Sequence, residues 1–239
     1  MQNKKMPGPK RWFILPRWED LPDDIRLDAV RPYYDALSRH KAALFFKRVF
    51  DILASLFLII LLGIPMIIIA VMIKCDSKGS VFFRQERVTS YGARFRIHKF
   101  RTMVNNADKM GTSVTVDNDT RITKVGAKLR DHRLDEFPQL FDVLSGNMSF
   151  VGTRPEVVKY VDRYSEEMMA TLLLPAGITS IASIEYKDEA ELLEKAEDAD
   201  EVYVNEILPE KMKYNLKSVM EFGFFKDIGV LFRTVGAVL

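Results

Sequence analysis

Residues 52–73 read ILASLFLIILLGIPMIIIAVMI, twenty-two positions without a charge. As one continuous helix this run extends about 33 Å, enough to cross a hydrocarbon layer about 30 Å thick. Core helices of soluble proteins are seldom apolar on every face for so long, so the run is read as a membrane segment. A secretory leader is not expected: mostly polar residues precede the run and no small-residue cleavage site follows it closely. Basic residues stand on both flanks, Arg39, Lys41, Lys47 and Arg48 before it and Lys74, Lys78, Arg84 and Arg87 after it. Cytoplasmic flanks carry the basic excess, and a helix that enters and returns satisfies both clusters. Gly63-Ile64-Pro65 lies near the centre. Pro65 offers no N–H to the carbonyl of Leu61, and Gly63 lowers the resistance to bending. The expectation is a broken, re-entrant helical hairpin. A kinked spanning helix is the alternative, since membrane helices tolerate proline.

The rest of the chain is an ordered globular composition, 48% hydrophobic and 28% charged over 239 residues. The single Cys75 excludes an intrachain disulfide and a cysteine zinc site, and the three histidines are far apart. The formal net charge of +2 gives no reason to expect a nucleic-acid partner, and it conceals an asymmetry. Residues 74–101 carry a net +6, and residues 185–210 a net −9, which reads as a solvated helical face away from the membrane. RWFILPRW (11–18) holds Trp12 and Trp18 among arginines, a pattern that fits either a membrane interface or packing on the body. FGFFKDIGVLFRTVGAVL (222–239) spaces Phe224, Phe225, Ile228, Leu231, Phe232 and Val235 near helical intervals, as an interfacial amphipathic helix or a core helix would.

Two stretches carry chemistry. In residues 81–101, Arg94, Arg96 and His98 alternate with Phe95 and Ile97, and Tyr91-Gly92 offers a turn, so a β-hairpin with a basic face is expected. Such a face binds anionic headgroups, a phosphorylated lipid or a nucleoside diphosphate. In DTRITKVGAKLRDHRLDEFPQLFDVLSGNMSFV (119–151), Phe137, Leu140, Phe141 and Leu144 define one apolar helix face, and Gly146 sits where a C-terminal glycine belongs. Pro138 is tolerable only in a first turn. The helix is therefore expected to start near Leu134 or Asp135, with Asp135 and Glu136 in its first turn, where the dipole keeps carboxylates ionised. Acids are also ordinary helix starters, so the pair alone decides nothing. GTRPE (152–156) places Arg154 on a turn, where it can fork onto a phosphate or pair with Glu156.

Taken together, KRVFD (47–51), FFRQERV (82–88), KFRTM (99–103), LR…LDEFPQL (129–140), SGNMSFVG (145–152) and TRPE (153–156) resemble the bacterial sugar transferase family, the small monotopic phosphoglycosyl transferases. The resemblance is strong over residues 47–179, with an echo in FFKDIGVLFRT (224–234). The chain departs from the family pattern at RVTSYGAR (no glycine after RV), at Thr153 (proline is usual) and at GITSIASIEY in place of a glycine-tryptophan continuation. These departures point to a different sugar or a subgroup.

The resemblance implies transfer of a sugar phosphate from a UDP-sugar to polyprenyl phosphate, with release of UMP, and it implies the re-entrant hairpin. By the same resemblance Asp135 is the nucleophile, Glu136 its paired acid, Arg130 a phosphate-binding arginine, and Lys99 and Arg101 basic neighbours of the site. Asp135 and Glu136 are the candidate ligands of Mg²⁺, and Arg154 and Glu156 are further candidate substrate contacts. Lys47, Arg48, Asp51, Gly63 and Pro65 belong to the membrane hairpin, with Asp51 expected near the interface beside Lys47 or Arg48.

The expected fold is α/β but mainly helical: a monotopic membrane-associated protein in which a Pro-broken re-entrant helix, a small β-hairpin and amphipathic interfacial helices surround a compact catalytic body. Residues 1–46 form an interfacial extension, 47–74 the membrane helix and 75–239 the catalytic domain, on the cytoplasmic face of the inner membrane. The partners are a UDP-sugar, polyprenyl phosphate and membrane lipid, with the oligomeric state open and a homodimer included. Two other classes remain: a lipid-binding scaffold without catalysis, and a membrane transferase without a covalent intermediate.

Overall fold

In the computed structural model, residues 15–105, 107, 119–186 and 198–238 are described. A short helix, α1 (Arg31–Ser38), leads into a 36-residue helix, α2 (Lys41–Asp76), that contains the whole uncharged run. Helix α2 is assigned without a gap through Gly63 and Pro65. A proline inside a helix removes one backbone hydrogen bond, and long helical flanks absorb that loss, so helical backbone continues through the expected breaking point.

The side chains of α2 divide by face. Leu44, Asp51, Ser55, Met66, Ile69 and Ile73 are buried against the body, spaced so that they share one side. Phe57, Ile60, Ile64 and Ile67 project away, with Ile60 and Ile64 each 73% exposed. Only 17% of the most apolar window is buried, which a soluble core helix would not allow. The first half of α2 packs through Phe50, Ala54 and Leu58, and the second half through Met66, Ile69 and Ile73 against Phe100 and Leu129.

Charged anchors fix both ends of α2. Arg48 donates to the carbonyls of Val143 (2.6 Å) and Leu144 (3.0 Å) at the end of another helix, where a cation meets the negative end of the helix dipole. Lys47 pairs with Asp227 at 2.6 Å. Asp51 is fully buried and accepts from the Phe150 N–H at 3.2 Å. At the far end Arg101 donates to the carbonyls of Lys78 (2.8 Å) and Ser77 (2.7 Å). The KRVFD motif is thus the joint between membrane helix and body.

Strands β1 (Phe82–Val88) and β2 (Arg94–Phe100) form the expected antiparallel hairpin, with Phe82 opposite Phe100 and Val88 opposite Arg94. Tyr91 (φ 56°) and Gly92 (φ 72°) take left-handed conformations in the turn. Arg94 and Arg96 face solvent, while Phe95, Ile97 and Phe100 are buried. Helices α3 (Lys124–Asp131) and α4 (Gln139–Ser145) follow, the latter capped by Gly146 at φ 87°.

A second pair, β3 (Met148–Val151) and β4 (Ala176–Thr179), is parallel, with α5 (Val158–Val161) in its crossover. The chain then continues through α6 (Ile181–Glu185), α7 (Ala199–Val202), a π-helical turn (Tyr203–Ile207), α8 (Leu208–Met220) and α9 (Phe224–Val238). In α9, Val230 is buried while Phe225 and Phe232 are exposed at 85% and 75%. One face of α9 packs and the other stays free, which reconciles the two sequence readings.

The N-terminal segment is part of the core: Leu21, Ile25, Val30 and Leu37 share a cluster with Leu173 and Val219. Trp18 packs edge-on to Tyr34 at 5.1 Å and under the Arg31 guanidinium, which decides for body packing; Trp12 lies outside the described residues. Of the acidic stretch, residues 187–197 lie outside them as well. Within it, Asp200 bonds Lys159 (2.8 Å) and the Tyr160 hydroxyl, and Glu185 pairs with Arg233.

Candidate active site

The two acids of the LDEF motif occupy a short 3-10 turn, Leu134–Glu136, ahead of α4. Pro138 caps α4 from outside, so the acids precede the helix instead of forming its first turn. The physical reason is Arg133, whose left-handed backbone (φ 52°) breaks the chain direction between α3 and this turn. That conformation costs a β-carbon-bearing residue about 1–2 kcal/mol.

The acids meet different surroundings. Glu136 accepts from Lys99 Nζ and from Arg154 Nη2, both at 2.8 Å. Burial opposes its charge, yet the two cations outweigh burial and hold its carboxyl well below the usual carboxylate range. Asp135 makes no hydrogen bond among the described residues, and its nearest cation, Lys99, is 3.9 Å away. Burial pushes the Asp135 carboxyl upward, Lys99 opposes this, and the charge on Glu136 adds to the rise. The first turn of a helix would favour an ionised Asp135, but Asp135 precedes the helix and burial dominates. Burial also lowers Lys99, against the pull of Glu136.

Five of the expected residues thus converge: Asp135, Glu136, Lys99, Arg154 and Arg130, whose charge acts on Asp135 from the end of α3. Two do not join them. Arg101 closes the C-terminal end of α2. Glu156 is buried and accepts from the Tyr203 hydroxyl at 2.6 Å.

A cleft of about 360 Å³ opens beside Glu136 and Arg154. Leu58 and Leu62 of α2, Phe150 of β3, Ile178 of β4 and Val235 of α9 line its apolar length, and Arg133 and His132 stand at its polar end. The cleft has no local sequence signature, because α2, α4, β3, β4, α6, α9 and the turns between them assemble it.

For a metal, no group of three or more His, Cys, Asp or Glu side chains stands together among the described residues. The donor set still fits Mg²⁺, which takes one or two protein carboxylates and completes its shell with substrate phosphates and water. Asp135, free of hydrogen bonds among the described residues, would be such a carboxylate.

A family model described as bacterial sugar transferase matches residues 42–239. The chain belongs to the bacterial sugar transferase family. It is 35% identical over 198 residues to a UDP-N-acetylgalactosamine-undecaprenyl-phosphate N-acetylgalactosaminephosphotransferase of Aeromonas hydrophila, covering 82% of this chain and 44% of that protein. It is 36% identical over 196 residues to a UDP-glucose:undecaprenyl-phosphate glucose-1-phosphate transferase of Klebsiella pneumoniae, covering 80% of this chain and 39% of the relative. The chain therefore spans less than half the length of those two relatives. It corresponds to 87% of the uncharacterized sugar transferase EpsL of Bacillus subtilis, at 32% identity. The α2 joint, the hairpin and the acid pair all lie inside the family-matched residues, whereas the core-forming segment from Leu15 to Leu37 precedes them.

Proposed function

We propose that this protein transfers a sugar 1-phosphate from a UDP-sugar to a polyprenyl phosphate, in two steps through Asp135. One observation carries the reading: an apolar cleft walled in part by the long apolar helix is also lined by a clamped carboxylate, Glu136, whose chain neighbour Asp135 is free of hydrogen bonds among the described residues. In the first step an Asp135 carboxylate oxygen bonds to the β-phosphorus of the donor, and the bond from that phosphorus to the bridging oxygen breaks, so UMP leaves. In the second step a phosphate oxygen of the lipid attacks the same phosphorus, and the Asp135 carboxylate departs. Splitting the transfer suits a soluble donor and a membrane acceptor, which never need to be bound together. A phosphate monoester is mostly dianionic at neutral pH, so the acceptor needs no strong base.

Like charges meet in both steps. Lys99, Arg130 and Arg154 supply positive charge around the carboxylates, and fixed cations in a partly desolvated site act where charge develops. Asp135 and Glu136 would hold Mg²⁺, which when bound neutralises phosphate charge. Glu136, fixed by two cations, orients the site. The apolar cleft receives the first isoprene units of the acceptor. Its wall on α2 suits a re-entrant membrane helix, with the body on the cytoplasmic face of the inner membrane.

The deciding experiment measures UMP release from a panel of UDP-sugars with Mg²⁺, with and without polyprenyl phosphate. The wild type should release about one UMP per enzyme without acceptor and turn over with it. Asp135→Asn should abolish both, together with the phosphosugar adduct seen by intact-protein mass spectrometry. Turnover retained by Asp135→Asn would leave a direct transfer, and no UMP from any donor would leave a lipid-binding scaffold.

A further inference from the structure

We propose that Tyr203 is a positioning residue for Arg154: bonded to Glu156, it fixes the turn that delivers the Arg154 guanidinium to Glu136. This rests on the site reading above and adds a residue 47 positions beyond Glu156, on a different element. The turn follows β3 and has no regular backbone ladder of its own. Four bonds hold it. The Gly177 N–H donates to the Thr153 carbonyl at 2.9 Å, and the Val88 N–H to the Glu156 carbonyl at 3.0 Å. Arg87 Nη1 donates to the Pro155 carbonyl at 3.0 Å, and the Tyr203 hydroxyl to Glu156 Oε1 at 2.6 Å. The last of these reaches the turn from the C-terminal helical region.

The Tyr203 contact is built rather than incidental. Tyr203, Glu156 and Lys211 are 3%, 7% and 4% exposed. Lys211 Nζ lies 3.4 Å from the Tyr203 hydroxyl and 5.2 Å from its ring. The Tyr203 ring also lies against that of Tyr160 at 4.7 Å, and Tyr160 is held through Asp200. A buried carboxylate needs such hydrogen-bond partners, and the Arg87 guanidinium reaches the same turn from β1 through the Pro155 carbonyl. Arg154 is two residues from Glu156, and small misplacements of a catalytic group cost large factors in rate. The hydroxyl of Tyr203 therefore acts at a distance, through the turn, on the cation that clamps Glu136.

The test is a double-mutant cycle on the full chain in detergent, reading acceptor-free UMP release. Tyr203→Phe keeps the ring packing and removes only the hydroxyl. It should lower the maximal rate about tenfold with KM for the donor within twofold, and change the rate less than twofold in an Arg154→Ala background. Hydrogen exchange of residues 152–157 should accelerate in Tyr203→Phe. An equal loss in both backgrounds, no loss in the wild-type background, or unchanged exchange in 152–157 each overturns the proposal. If Tyr203→Phe fails to fold, Glu156→Ser takes its place in the cycle, and Glu156→Gln, which keeps an acceptor oxygen, should recover most of the rate. If the wild type releases no UMP from any donor, the proposed reaction fails by itself, and the exchange measurement alone decides the coupling.

Discussion

Adjacent positions in one 3-10 turn give Asp135 and Glu136 opposite lives. Glu136 has two charged donors at 2.8 Å, and Asp135 has none. In the proposed reaction the nucleophile needs an accessible carboxylate and the positioning carboxylate must not move, a division of labour these bonds support. Lys99 is the hinge of that division, since it touches Glu136 and stands nearest to Asp135. Lys99→Met removes one of two cations from a partly buried acid and the closest counter-charge of the other. Transfer should fall about 10²–10³-fold, as when a preorganised charge-stabilising donor is lost, and unfolding should be easier by about 1–3 kcal/mol because Glu136 keeps a buried charge with one partner fewer. Steady-state UMP release and thermal unfolding read the two effects separately. Lys99 was legible through the family resemblance of KFRTM, and in the fold it shares a strand face with Phe95 and Ile97, whereas Arg94, Arg96 and His98 share the other. The Glu136–Arg154 pair was not, because nothing local joins a turn after β3 to a turn before α4.

Among the elements, β3 and β4 approach so closely that side chains are excluded. A Cβ on Gly177 would lie 2.1 Å from the Gly152 nitrogen and 2.3 Å from its carbonyl oxygen, backbone atoms that cannot swing aside. Gly177→Ala should therefore cost about 3 kcal/mol and dislodge Arg154, since the Gly177 N–H holds the Thr153 carbonyl. Gly63→Ala in α2 meets nothing within 4 Å, and should be neutral or stabilise by up to about 1 kcal/mol through helix propensity. Thermal unfolding of both variants in one detergent makes the comparison. A separate signature belongs to α1, where the Tyr33 hydroxyl donates to Glu167 at 2.6 Å. Burial, with Glu167 adding, pushes the Tyr33 phenol up to about 12, from about 10 in the unfolded chain. A raised value means stability is intact below pH 10 and is lost between pH 10 and 12. Tyr33→Phe should flatten part of that alkaline decline in the unfolding midpoint.

The hairpin, the long helix and the glycine-capped α4 were readable because period 2, unbroken apolarity and period 3.6 survive in local sequence. The β3–β4 pair was hidden for a physical reason. Its strands are four residues each and buried almost throughout, so no alternation marks them.

For the whole molecule, the decisive geometry is that one body holds both ends of α2. Arg48 and Lys47 lock its start onto α4 and α9, and Arg101 locks its end below the hairpin. A straight helix of 36 residues would extend about 54 Å. Placing its ends in opposite compartments would tear one set of buried charged anchors from its partners, a cost of several kcal/mol per ion. The apolar residues on the free face ask for lipid, and the anchors ask for one side of it; a helix that enters and leaves the same leaflet meets both demands. The chain carries its own reporter, because Cys75 is its only cysteine and is exposed near the end of α2. Lys41, also exposed, marks the start. A membrane-impermeant maleimide should label native Cys75 in inside-out vesicles and spare it in intact spheroplasts. Lys41→Cys in a Cys75→Ser background should behave identically. Labelling of the two positions from opposite sides would establish a spanning helix, and the shared anchoring of its ends would then have to be abandoned.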